Sequence, residues 1–213
     1  MKRSPARATR FATVAACVAA VAAIAPPVAS AVDTTLRVEG ISDTILAESG
    51  VQIEGTGTET VYDTGGTPAT VGKGSAFWQL VRASSGNGVD LRFTYYPAWS
   101  SFFVNQIGPD APGASDWWQY RVNHRDPGLG ADQVDLADGD GVVWFTGNGM
   151  GTHTLDATPS SDRLAKGDSF TVKVTAYTAA GAASPAAGAA VTFGTMQATT
   201  DAQGQATFIA SGN

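Results

Sequence analysis

Residues 117–145 read WWQYRVNHRDPGLGADQVDLADGDGVVWF, and the fold turns on how they are interpreted. In WWQYRVN, Trp118, Tyr120 and Val122 share one face of an extended chain, while Trp117, Gln119, Arg121 and Asn123 share the other. The period is two, as in a half-buried strand. A connection rich in Gly and Asp follows, and GVVWF at 141–145 closes the stretch as a second aromatic strand. The expected unit is a β-hairpin with its turn at Asp138-Gly139-Asp140, because Asp and Gly suit tight turns. Neighbours in a strand face opposite ways, so Trp117 and Trp118 cannot enter one core. One of the two rings must cover a second surface, beneath a loop such as 110–115 or as a platform for a planar ligand or sugar ring.

Upstream, the first 31 of the 213 residues have the pattern of a signal peptide. Lys2, Arg3, Arg7 and Arg10 precede an apolar, alanine-rich run from Phe11 to Ile24, and Ala29-Ser30-Ala31 supplies small residues for cleavage after Ala31. The run is shorter than the roughly 20 residues that span a bilayer, so no membrane insertion of the mature chain is expected. Cleavage would leave 182 residues and shift the formal charge from −6 to −10. Cys17 lies in the leader, so the mature chain would rely on core packing and not on disulfides. Its 9 Lys and Arg stand against 19 acids with no basic run, which argues against nucleic acid as a partner.

The remaining chain alternates strands and turns. Leu36–Gly40 and Thr44–Glu54 read as strands, and the Thr, Gly, Asp and Pro run at 56–70 reads as an exposed loop. Phe77, Leu80 and Val81 fall at i, i+3 and i+4, which predicts a short helix over 74–84 stopped by Ser84-Ser85-Gly86-Asn87-Gly88. Val89, Leu91, Phe93 and Tyr95 alternate with polar residues in a strand broken by Pro97, and an extended aromatic segment runs from Phe102 to Ile107. After a hinge at 159–163, strands are expected at 170–176, 191–193 and 205–209.

Two resemblances rest on these residues. The W-x-Y-x-V-N core at Trp118–Asn123, the D-G-D turn at Asp138–Asp140 and the element order over Val32–Asn148 resemble the transcobalamin-like C-terminal domain family, a small β-rich α+β module of exported bacterial proteins and vertebrate cobalamin carriers. That family commonly has glycine after the Asn; His124 stands there, which puts a tight turn in question. The pieces GAAVTF and TTDAQGQATF, at 188–193 and 199–208, resemble the bacterial immunoglobulin-like family typified by invasin repeats. With three or four strands expected between Leu155 and Asn213, against about seven in such a sandwich, this second module is expected to be incomplete and the chain a fragment. The expected fold is mainly β: a β-rich module with one short helix over 32–150, a linker over 151–160, and a partial β-sandwich over 161–213.

Chemistry is sparse. No nucleophile elbow, zinc-binding helix motif or phosphate loop occurs, and the only histidines are His124 and His153. His124 reads as an exposed turn histidine. Asp132, Asp135, Asp138 and Asp140 could supply oxygens to calcium, but their spacing is not that of the helix-loop-helix site, and a structural turn is expected. No catalytic residue, metal or cofactor is expected, and the chain is read as a non-enzymatic binding module, secreted or at the cell surface, with an unidentified extracellular ligand or partner. The aromatics Trp99, Trp117, Trp118, Tyr120 and Trp144 are its candidate ligand-binding residues. The first resemblance also implies an alternative, binding of cobalamin or another small molecule, although the helical barrel that completes the site in the vertebrate carriers has no counterpart here.

Overall fold

The computed structural model describes residues 31–149 and 151–211, so the expected signal peptide lies outside it apart from Ala31. Among the described residues the chain is mainly β, with several small sheets and one α-helix. Strand β1 (Val32–Glu39) buries Thr34, Leu36 and Val38 in alternation, because every second side chain meets the core. It pairs antiparallel with β2 (Thr44–Ile53). Next come β3 (Thr58–Tyr62), β4 (Pro68–Gly72), helix α1 (Ala76–Gly86), β5 (Leu91–Tyr96), β6 (Ser101–Ile107), β7 (Trp117–Val122) and β8 (Gly141–Gly147). β8 returns beside β1 in parallel and pairs antiparallel with β7, which gives a four-stranded sheet in the order β2-β1-β8-β7.

One face of this sheet carries the first core. Leu36, Val38, Trp118, Val142 and Trp144 pack with Phe77 and Leu80 of α1 and with Phe93, Val104 and Ile107 of the β5–β6 hairpin. Phe77 stacks on Phe102 at 4.4 Å and meets Phe93 edge-on at 5.1 Å, the two geometries that aromatic quadrupoles favour. The helix starts where Ser75 Oγ accepts the N–H of Trp78 at 3.1 Å, satisfying one of its orphan donors. It ends at Gly86 before Gly88, whose φ of 65° suits glycine. The i, i+3, i+4 spacing thus locates the helix to within two residues. Buried Gln79 ties it to the sheet, donating through Nε2 to Thr34 Oγ1 at 2.6 Å and to Thr35 O at 3.1 Å.

The stretch expected to be an exposed loop, 56–70, instead forms the β3–β4 hairpin. Val61, Ala69 and Val71 alternate inward, and the intervening threonines are β-branched residues that suit a pleated surface. The Asp63 carboxylate organises its turn, accepting from the N–H groups of Gly65, Thr67 and Tyr95. Those donors favour the charged form and hold its pKa below the ordinary carboxylate value.

Among its described residues the second module holds six strands rather than three or four: β9 (Thr154–Pro159), β10 (Ser169–Tyr177), β11 (Ala183–Pro185), β12 (Ala190–Phe193), β13 (Met196–Thr199) and β14 (Gln205–Ile209). β10 is central, with β9 along one edge while β14 and β11 share the other. Phe170, Val172, Val174, Ala206 and Phe208 form a core of their own. β9 lies where a linker was expected over 151–160. Its sequence, TLDATP, alternates only Leu155, Ala157 and Pro159, all exposed, and pairing to β10 makes it a strand. β12 and β13 join through Gly194, whose φ of 59° allows the two-residue connection.

The second module lies against the other face of the first sheet. Val143 and Phe145 of β8 are buried there, so four consecutive residues, Val142–Phe145, are buried on alternate faces. Arg121 of β7 is 2 % exposed and donates to the carbonyls of Thr152 and Tyr177, while Arg37 of β1 donates to Leu155 O at 2.7 Å.

Candidate functional site

The five candidate aromatics part company in the fold. Trp118 and Trp144 are 5 % and 3 % exposed and belong to the first core, so neither ring can meet a ligand. Tyr120, half-buried, stacks on Trp144 at 5.2 Å and donates its hydroxyl to Leu129 O at 2.8 Å. Burial, reinforced by Asp126 and Asp132, raises the pKa of that phenol and keeps it neutral. Trp99 is the most exposed at 72 %, on the turn between β5 and β6, where it pairs with Tyr96 at 5.3 Å. Trp117, 40 % exposed, is the ring that covers the second surface.

Trp117 lines an open groove of about 340 Å³ with Phe103 and Asn105 of β6 and with Pro112, Gly113 and Asp116 of the preceding loop. Phe103 is 43 % exposed, so two aromatic rings border solvent there. The site follows from strand alternation. On β7 the odd residue Trp117 turns away from the core that Trp118 enters, and on β6 Phe103 does the same beside buried Val104. Phe103 was not among the candidate site residues. Its alternation with Phe102 and Val104 is the signal that could have found it.

The aspartate-rich connection builds turns. Asp138 accepts from the N–H of Asp33, Asp132 from Ser101 Oγ, and Asp140 from Asn123 Nδ2 at 2.7 Å and from Ala137 N. Asp138-Gly139-Asp140 does turn the chain, with φ of 83° at Gly139, but it leads into β8 and does not by itself join β7 to β8. The tight turn is at the other end. Val122 and Arg125 exchange N–H to O bonds at 3.0 and 2.9 Å around Asn123 and His124, both at positive φ, 49° and 64°. This is the two-residue pattern for which Asn-Gly is preferred.

A histidine at that position strains the backbone, and its contacts explain how it is held. The His124 ring stacks on Tyr177 at 3.8 Å, nearly parallel, and Nε2 lies 2.9 Å from Asp156. Asp156 also faces Arg37 at 3.5 Å. His124 is therefore a half-buried junction residue between the modules, and not an exposed turn histidine. A recess of about 160 Å³ beside it is lined by Thr35, Arg37, Glu48, Asn123 and Asp156. His153 is exposed and lines a different cleft. Replacing His124 with Gly or with Ala removes the same contacts, but only Ala keeps the left-handed strain. The Gly variant should therefore be more stable than the Ala variant by about 1 kcal/mol, the reverse of the usual preference outside such turns, as read by urea unfolding.

Among the described residues, no helix is long and apolar enough to cross a membrane. Compared with known families, the chain matches no family model, and no curated protein matches it.

Proposed function

We propose that the chain is an exported, non-enzymatic interaction protein whose first module, similar to the transcobalamin-like C-terminal domain, offers the Phe103–Trp117 groove to an extracellular partner. The second, immunoglobulin-like part spaces or displays it. The observation that supports this is the groove itself, with two aromatic rings turned to solvent from neighbouring strands whose alternate residues fill the core. Clustered exposed aromatics cost solvation in a free monomer and are recovered by a ligand. The leader-like N-terminus and the acidic, cysteine-free remainder agree with work outside the cell.

The test is a titration of the chain with panels of oligosaccharides, peptides and cobalamin, followed by tryptophan emission and calorimetry. Trp117→Ala should weaken the productive ligand about tenfold or more, as loss of a binding aromatic does, while shifting Tm by less than about 2 °C. If a ligand binds and Trp117→Ala and Phe103→Ala bind it as the parent does, the groove is not the site. Hydrolysis of any panel member, abolished by mutating an acidic pair, would replace the non-enzymatic proposal.

A further inference from the structure

Among the described residues, the outer edge of β7 has no strand beside it. The four-stranded sheet ends there, and β6, which runs nearby, takes β5 as its partner strand. Its backbone directions follow from two bonds. Asn123 N donates inward to Gly141 O at 2.8 Å, and the β7–β8 register runs without a break from Trp117 opposite Gly147 to Val122 opposite Val142. Alternation then turns the N–H and C=O groups of Trp118, Tyr120 and Val122 away from β8. Val122 agrees, since both of its groups bond Arg125 on that outer side. Among the described residues, no hydrogen bond takes up the outward groups of Trp118 and Tyr120.

A second groove, about 270 Å³, runs along this edge. Five consecutive residues, Trp117–Arg121, line it together with Asp126 and Gly149. Trp117, Gln119 and Arg121 share one face of β7 and the rings of Trp118 and Tyr120 the other, so a groove that touches all five includes the strand edge. Trp117 lines both this groove and the aromatic one, which makes a strand edge continuous with a side-chain pocket.

We infer that β7 accepts an extended peptide as an added strand, paired through the outward N–H and C=O groups of Trp118 and Tyr120, with one apolar side chain seated between Phe103 and Trp117. This rests on the aromatic groove being a binding surface and names the class of its ligand. An unpaired strand edge is a template for another strand, and edge addition takes affinity from main-chain bonds and specificity from pockets for alternate side chains. At about 3.3 Å per residue, three peptide residues cover Trp118–Tyr120 and the next side chains reach the aromatic groove. Asp126 stands at one end and Asp116 at the other, and among the described residues neither is in an ion pair. The partner segment is therefore apolar in its middle and basic at its flanks. The Arg125 turn closes the edge beyond Tyr120, which limits the added strand to a short one.

The experiment uses ¹⁵N-labelled chain and octapeptides with alternating apolar residues and lysine at both ends, each also made with N-methyl groups on alternate amides. Binding is followed by Trp117 emission and by amide exchange. Binding of the unmodified peptides with exchange at Trp118 and Tyr120 slowed about tenfold or more is the expected result. N-methylation in the pairing register should weaken binding by about tenfold while leaving the protein untouched, and glutamate flanks should weaken it further. Equal binding of both N-methyl registers, or binding without change in exchange at Trp118 and Tyr120, overturns strand addition but leaves the aromatic groove as a site. Binding of a saccharide at Trp117 with no peptide binding has the same consequence. If neither peptide nor saccharide perturbs Trp117, both the strand and the groove proposals fall.

Discussion

Replacing Arg121 with alanine is expected to destabilise the chain by about 3–4 kcal/mol and to lower Tm by roughly 10 °C, making it one of the two most damaging single changes considered. Arg121 is almost fully buried where β7 meets the second module. Its guanidinium donates to Tyr177 O at 3.1 Å, to Thr154 Oγ1 at 3.4 Å and to Thr152 O, and lies 5.1 Å from the centre of the Phe145 ring. Burial lowers its pKa, yet an arginine remains charged across the accessible pH range, so no pH dependence is expected from it. Alanine would leave two carbonyls without their donor, at about 1–2 kcal/mol each, and a void where the side chain packed. Methionine fills the void but restores no bond, so it should recover only about 1 kcal/mol. Amide exchange distinguishes this from general unfolding. The increase should concentrate at 152–159 and 177–180, while the amides of β1 stay protected. Uniform acceleration over both modules would show that Arg121 does not act at the junction.

Trp118→Ala is the second, with an expected loss of about 3–5 kcal/mol for a large ring removed from a packed core. Trp118 packs among the residues of the first core, and its Nε1 approaches Asp110 O at 3.4 Å, so its loss also loosens the loop that walls the aromatic groove. Its neighbour Trp117 has the same side chain one residue earlier, with 40 % of its surface exposed, and should cost less than about 1 kcal/mol. Thermal unfolding of the two variants side by side checks the assignment of faces. Similar losses would mean that the strand does not alternate as described.

Much of the first module was legible in local pattern. Phe77, Leu80 and Val81 located α1, and the alternation from Val89 to Tyr95 located β5, because in both cases a core side and a solvent side are written into the spacing. The strand β9 and the hairpin at 58–72 were not. Their few apolar residues lie among Thr, Glu, Asp, Gly and Pro and do not mark a core side in the sequence, and both exist because a partner strand takes up their backbone groups. The candidate site was legible by half. Trp117 and Trp118 had to face opposite ways, but which of them met solvent depended on which face α1 covers. Three further candidates split likewise: Trp144 went to the core, Tyr120 to a half-buried stack upon it, and Trp99 to a separate turn.

The Trp117–Phe145 stretch marks the division. By itself the sequence determined two aromatic strands, their two faces and a turn-rich connection, since period and turn chemistry are local properties. Only the tertiary structure decided that β8 inserts between β1 and β7, leaving β7 as the sheet edge, and that Arg121 and His124 bind the second module. Those outcomes depend on residues more than 50 positions away, such as Tyr177, and no local pattern encodes which distant backbone will arrive. The unpaired edge beside Trp117 is likewise a property of the assembled sheet.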